Sequence, residues 1–315
     1  MKIKKRSSAR KKEMWFYIAI VGVPFFLYLL LQVFPGYLYI FIFSIQKYDQ
    51  TTGKYIFQSD VFYNFRCFFD ELLKTTTWSQ AAKNSLIQYG LGWLMMPLSL
   101  FVSFFIARKM PGSNFFKAIL MMPGMLSGMI WVLLYKNFMD RALVELFDLP
   151  YGPLSNIDQQ FGALLVYSLW LGVAGNMLLY TGVLSGTSPE LIEAGRSDGL
   201  GTLGEFWHIA LPQLYPVWIV GVIGGIAGFF NSSPSTFEFY GLHANANTHT
   251  IGYLMFCKVM GNSDTSGYAF NAAGSIIFSL VVMPVTLFGK WALERYGPSE
   301  DSRKPIRWFW KRGRN

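Results

Sequence analysis

The sequence predicts an all-α polytopic membrane protein: six transmembrane helices and one cytoplasmic helix–turn–helix elbow. Three observations predict it. Of 315 residues, 52% are hydrophobic and only 14% charged, against about 25% charged in an average soluble domain. The apolar residues gather in long uncharged windows separated by short polar connections. The net charge of +9 sits in two tails: residues 1–12 hold seven Lys/Arg and no acid, residues 290–315 eight Lys/Arg and three acids. The 277 residues between them carry twelve basic and fifteen acidic side chains. An ordinary cytosolic enzyme is excluded by this composition. Nucleic-acid binding is disfavoured, because the basic residues are not interleaved with aromatics on a folded face.

Taken in order, residues 1–14 form a basic cytoplasmic tail, held by the positive-inside rule and by anionic membrane lipid. Met14 to Gln46 then runs 33 residues without a charge and no small-x-small cleavage site follows, so it reads as a retained helix rather than a signal peptide. A span needs about 20 mostly apolar residues. The uncharged windows 14–46, 84–107, 118–135, 159–189, 209–237 and 265–289 place helices near 15–45, 85–107, 115–138, 161–185, 214–230 and 269–293. A further window, 239–257, holds His243, Asn245, Asn247, Thr248 and His249, which lack partners in lipid; it reads as a loop, with or without a short re-entrant or interfacial helix. The outside segment 46–83 has a turn-like cluster of Asp49, Thr51, Thr52 and Gly53. Residues 15–293 thus form one membrane domain and 294–315 a second cytoplasmic basic tail.

An even number of spans puts both tails in the cytoplasm. The 108–117 connection, with Arg108, Lys109, Lys117 and no acid, belongs inside too; the acidic connections 136–158 and 238–264 belong outside. The 186–213 connection is cytoplasmic by parity, yet holds Glu190, Glu193, Asp198 and Glu205 against Arg196 alone. A loop that ignores the charge bias is shaped for something besides topology. Its first helix starts either from a Thr187/Glu190 capping box or from Ser188 as cap with Pro189 in the first turn. Asp198-Gly199 ends it, and Thr202/Glu205 repeats the capping-box spacing to start a second short helix that Pro212 stops.

Here a resemblance becomes specific. Glu193-Ala194-Gly195, Asp198-Gly199, Phe206, Ile209, Leu211-Pro212 and Pro216 resemble the EAA loop, here 187–216, of binding-protein-dependent ABC importer permeases. The Asp-Gly pair and the Ile-x-Leu-Pro ending are most similar to the carbohydrate-type permeases, kin of the maltose and oligosaccharide systems. Phe43-Ser44, Phe62-Tyr63-Asn64-Phe65 and Asn84-Ser85 fall where those permeases have similar residues. Two departures stand out: Gly195 replaces the usual Ala, and the 238–258 segment lacks the common Gly-Gly-Pro turn.

The resemblance implies an inner-membrane permease subunit of an ATP-driven importer for a sugar or oligosaccharide. It would work with a second, similar permease, two ATP-binding subunits and an extracytoplasmic substrate-binding protein. Glu193, Ala194, Gly195, Asp198, Gly199, Phe206, Leu211 and Pro212 would couple the ATPase to the spans. The chain carries no phosphate-binding loop of the Gly-x-x-x-x-Gly-Lys-Ser/Thr type, since Gly53-Lys54 precedes Tyr and Gly289-Lys290 precedes Trp. ATP and Mg therefore belong to the partner, and the chain itself is not an enzyme. Its histidines, His208, His243 and His249, lack metal-ligand spacing, and Cys67 and Cys257 form no metal or redox pattern.

Small and polar residues recur at helical spacing in the fourth and fifth spans. Ser168, Trp170, Gly172, Asn176, Phe229, Asn231 and Ser232 are candidates for a pathway that hydrogen-bonds and stacks on sugar; close helix packing is the competing reading for the glycines. An importer of another polar solute, such as a glycerol phosphodiester or a peptide, remains the alternative within this class. Outside it stands a non-transporting membrane scaffold or receptor.

Overall fold

The computed structural model describes residues 15–49, 51–231, 233, 235–261 and 267–296. In chain order these form α1 (Trp15–Ser44), a hairpin of β1 (Gln46–Asp49) and β2 (Lys54–Phe57), α2 (Tyr63–Lys74), α3 (Thr76–Ala107), α4 (Ser113–Met125) and α5 (Gly128–Phe147). Then follow α6 (Gln160–Ser185), α7 (Pro189–Ser197), α8 (Thr202–Ala227), α9 (Thr236–Tyr240), α10 (Ile251–Met260) and α11 (Gly267–Tyr296). Five helices are long and apolar enough to cross a membrane: α1, α3, α6, α8 and α11. A sixth span is obtained if the α4–α5 pair is one broken crossing.

That pair corrects the expected straight span at 115–138. Its halves are bent by 107°. Pro123 removes a backbone donor near the end of α4, and Leu126 and Ser127 are extended, with ψ of 157° and 137°. The fifth span also differs from expectation. Pro212 does not stop a short helix; α8 runs through it from Thr202 to Ala227. A five-residue π turn, Phe206–Ala210, precedes the proline, and Leu211 N–H donates back to Phe206. The same device precedes Pro24 (Ile18–Gly22) and Pro35 (Leu29–Val33) in α1. The extra residue in the turn makes room for the ring and shifts the hydrogen-bond register past the missing donor, so the helix continues.

The described residues fall into two compact units. The first runs to residue 71 and includes 267–278. Within it Phe68, fully buried, meets the rings of Phe270 at 5.1 Å and Phe278 at 5.3 Å. Gly274 is required there, because a Cβ would lie 2.3 Å from the Phe68 ring. Asn64 donates from Nδ2 to the carbonyls of Ser44 (2.8 Å) and Gln46 (2.7 Å), holding the exit of α1. The Asp49 cluster forms a turn, as expected: its carboxylate accepts from Thr51 N–H (3.0 Å), Thr51 Oγ1 (2.6 Å) and Thr52 Oγ1 (2.8 Å). Those bonds favour the ionised carboxylate, holding the Asp49 pKa below its ordinary value. The flanking strands, four residues each, were too short for the sequence pattern to reveal.

The second unit comprises the described residues of 72–261 and 279–296. Its core packs α3 on α6 and α8 through Leu100, Phe104, Tyr180, Leu184, Phe206, Ala210 and Leu214. A second cluster joins α5, α6 and α9 through Val132, Tyr135, Leu164, Tyr167 and Phe239. The polar segment 241–250 is the expected loop, and α10 is the short helix beside it. Asn84 and Ser85, both buried at the start of the second span, hold that loop. Asn84 Nδ2 donates to the carbonyls of Asn247 (2.7 Å) and His249 (2.8 Å), and Ser85 Oγ accepts from Ile251 N–H (2.9 Å). Asn84→Ala strands two carbonyls, and the expected loss is about 2–3 kcal/mol of stability. Denaturant unfolding of the purified protein measures it; a loss under about 0.5 kcal/mol would refute the clasp.

His249 gives the same loop a pH dependence. Its Nε2 bonds the Ala244 carbonyl at 3.0 Å, while Nδ1 is buried without a partner among the described residues. Burial holds its pKa below the ordinary 6.5, so the fold selects neutral imidazole. The unfolded chain then binds more protons on acidification. Stability is full above pH 6.5 and declines as the pH falls below it. His249→Gln, which keeps a donor for Ala244, should flatten a melting-temperature profile taken between about pH 8 and 5; an unchanged slope counts against this assignment.

Candidate functional site: the cytoplasmic elbow and a membrane cavity

The elbow is built as a rigid hook. Ser188 caps α7, its Oγ accepting from Leu191 N–H at 3.3 Å, with Pro189 in the first turn. This decides between the two starts read from the sequence, because Thr187 Oγ1 instead donates to Gln213 Oε1 at 2.5 Å. Gly199 takes φ +83°, open only to residues tolerant of the left-handed region. Its N–H bonds Arg196 and the Leu200 N–H bonds Gly195, each at 3.0 Å. These two bonds close α7 as a Schellman motif. Gly195 acquires a reason as well. It is buried, and a Cβ there would lie 2.9 Å from Ile209 Cδ1 and 3.1 Å from Leu200 Cδ1. The missing methyl lets α7 settle onto the start of α8.

The eight expected coupling residues fall into two sets. Glu193, Ala194, Asp198 and Gly199 are exposed on the hook. Gly195 and Phe206 are buried, and Leu211 and Pro212 are half-buried. Phe206 meets Phe101 and Phe104 edge-on at 5.5 and 5.3 Å. It anchors the hook to α3 rather than offering a contact. Glu193 has no ion-pair partner among the described residues, so its carboxylate is available to a cation outside the chain.

Glu205 differs from expectation. It does not complete a capping box with Thr202, for α8 starts after Gly201, which has no side-chain cap. Its carboxylate pairs with the Arg108 guanidinium, with side-chain exposures of 4% and 19%. The pair ties the base of the elbow to the end of α3. Sequence reasoning missed it because 97 positions separate the partners. The one available signal was an arginine and a glutamate in two connections both assigned to the cytoplasm.

A separate cavity of about 370 Å³ lies between α3, α6 and the end of α8. Four of the seven pathway candidates, Ser168, Gly172, Asn176 and Phe229, line it. Trp170 does not; it packs edge-on against Trp131 at 5.0 Å. Asn231 is exposed outside the lining, and Ser232 lies outside the described residues. The sequence reading overlooked the wall from α3: Gln88, Tyr89, Trp93 and Ser99. Gln88 was detectable as an amide in an apolar span. Its Oε1 is buried without a hydrogen-bond partner among the described residues. No charged side chain is among the described residues lining this cavity. Such a wall suits a neutral polar solute with rings and hydroxyl groups.

Comparison with known proteins adds independent findings. Residues 91–299 match the family model described as binding-protein-dependent transport system inner membrane component. The multiple sugar-binding transport system permease protein MsmF of Streptococcus mutans serotype c is 27% identical over 194 residues, covering 58% of this chain and 65% of the relative. The chain thus matches slightly less than two thirds of that relative's length. The sn-glycerol-3-phosphate transport system permease protein UgpA of Yersinia pseudotuberculosis is 24% identical over 206 residues, covering 63% of this chain and 69% of the relative. Among solved structures, a bacterial ABC transporter involved in import of the acidic polysaccharide alginate matches with a TM-score of 0.70 at 17% identity. That match covers 93% of this chain and 100% of the other. It establishes the likeness of fold.

Proposed function

Since the chain belongs to the family of binding-protein-dependent transport system inner membrane components, we propose that it is the permease subunit of an ATP-driven sugar or oligosaccharide importer. The observation that carries the reading is the hook: four outward residues, Glu193, Ala194, Asp198 and Gly199, on a capped helix braced against α3 and α8. A short rigid helix transmits displacement, and Glu193 offers a carboxylate for a charge-assisted bond to an ATPase subunit. ATP and Mg would be bound by two such partners. A second permease would complete the pathway, and an extracytoplasmic binding protein would deliver the solute. Both termini would lie in the cytoplasm, with the spans in the bacterial inner membrane. None of the most apolar 18-residue stretch of α1 is buried within the chain, which suits contact with lipid or a second permease. Motion of the hook would then tilt α3 and α8 between inward- and outward-open arrangements.

The uncharged cavity favours a sugar over a glycerol phosphodiester, which would call for a cationic wall. A peptide importer and a non-transporting scaffold are the remaining readings. Purification of the tagged chain in mild detergent, followed by mass spectrometry, should recover an ATPase carrying a phosphate-binding loop and a second six-span permease. Reconstituted with its binding protein, the complex should take up neutral oligosaccharide in an ATP-dependent manner. Uptake of only glycerol phosphodiester would overturn the sugar assignment, and recovery of the chain without an ATPase would overturn the transporter reading.

A further inference from the structure

A second polar hollow, of about 600 Å³, opens between the α3–α4 connection and the end of α6. Lys109, Lys117, Ser113, Asn114, Thr181 and Ser185 line it, with two ammonium groups and no carboxylate among the described lining residues. The connection is shaped by two left-handed residues, Lys109 (φ 51°) and Gly112 (φ 82°), after which α4 begins at Ser113 without a side-chain cap. The hollow therefore combines two cations with the start of a 13-residue helix, where Ser113, Phe115 and Phe116 N–H bond the Met110 and Gly112 carbonyls and Asn114 N–H has no acceptor among the described residues. Two hydroxyls there await an acceptor or donor. Ser113 is only 6% exposed and its hydroxyl has no hydrogen-bond partner among the described residues. Thr181 Oγ1 is buried and also unpartnered.

We propose that this hollow binds the phosphate of an anionic phospholipid headgroup. Two cations, the Asn114 N–H and spare hydroxyls are a donor set that a phosphate monoanion satisfies. Lipid is favoured over a soluble anion by what adjoins the hollow: α4 continues from it with Phe115 and Phe116, 66% and 50% exposed, a surface for acyl chains. Basic pockets between membrane helices at the cytoplasmic face take such headgroups. The hollow shares Ala107, Lys109 and Ser185 with the smaller cavity under the elbow, so the bound lipid would border the Arg108–Glu205 brace.

The test is native mass spectrometry of the full-length chain titrated with dioleoyl phosphatidylglycerol or dioleoyl phosphatidylcholine. Wild type should prefer phosphatidylglycerol at least tenfold. Lys109→Gln with Lys117→Gln should weaken it about thirtyfold, at about fivefold per charge. Lys83→Gln, an exposed charge outside the hollow, should leave binding unchanged. Ser113→Ala with Thr181→Val should weaken binding several-fold without changing charge, and this pair decides the matter if the lysine variant fails gel filtration. Equal binding of the two lipids would overturn the proposal, as would wild-type binding in the hydroxyl variant or in a folded lysine variant. Displacement of the lipid by millimolar inorganic phosphate would assign the site to a soluble anion and overturn the lipid reading.

Discussion

Arg108→Ala is expected to cost about 3–5 kcal/mol of stability, because it leaves the buried Glu205 carboxylate without its cation. The Glu205 side chain is 4% exposed and that of Arg108 19%, so water reaches neither well enough to replace the other. The guanidinium also stands 6.0 Å from the Phe104 ring centre, and that contact would be lost too. A buried pair is costly to break but inexpensive to replace as a whole. The double variant Arg108→Met with Glu205→Leu should therefore recover most of the stability lost in Arg108→Ala. Denaturant unfolding in detergent separates the cases. A loss below about 1 kcal/mol in the single variant would show that the pair is not a buried brace. Recovery of stability without recovery of transport in the double variant would show that the ionic tie itself carries the elbow's motion to α3.

The same pair marks where the sequence stops being legible. Long uncharged windows located α1, α3, α6, α8 and α11, since each span follows from local composition. The hook was legible for the same reason: Ser188-Pro189 and Gly199 act within one or two turns of their own positions. What escaped depends on partners distant in the chain. Glu205 fits a capping box by spacing, and only the fold brings Arg108 to it. Asn84 looks like a stray amide at a helix start until the 241–250 loop folds onto it. Gln88, Tyr89 and Trp93 read as ordinary span residues until α6 and the end of α8 wall off the cavity. Pro212 shows a different limit. The rule that proline stops a helix omits the π turn, which absorbs the proline with one extra residue and leaves the hydropathy pattern almost unchanged.

Gly199→Val should abolish transport while the protein still inserts into the membrane. Gly199 holds φ +83°, and a β-branched residue there faces a cost of about 1–2 kcal/mol or more from Cβ–carbonyl crowding. The chain can relieve that cost by breaking the two bonds that close α7, Leu200 to Gly195 and Gly199 to Arg196. The hook would then fray where a partner must seat it. Gly199→Asn distinguishes this from a general loss of space, since asparagine tolerates the left-handed region and no atom lies within 4 Å of a Cβ built there. It should retain most of the uptake. Glu193→Ala acts through a different term. Its side chain is exposed and unpaired among the described residues, so stability should change by less than about 0.5 kcal/mol. A lost charge-assisted bond to an ATPase is worth about 1.5–3 kcal/mol, roughly a tenfold to hundredfold fall in affinity for that subunit. The measurements are ATP-dependent uptake, recovery of the ATPase on purification and protein level in the membrane. Wild-type uptake in both Gly199→Val and Glu193→Ala would sink the coupling assignment. Loss of uptake with the chain inserted and the ATPase released would place the coupling at this hook, because neither residue reaches the cavity between the spans.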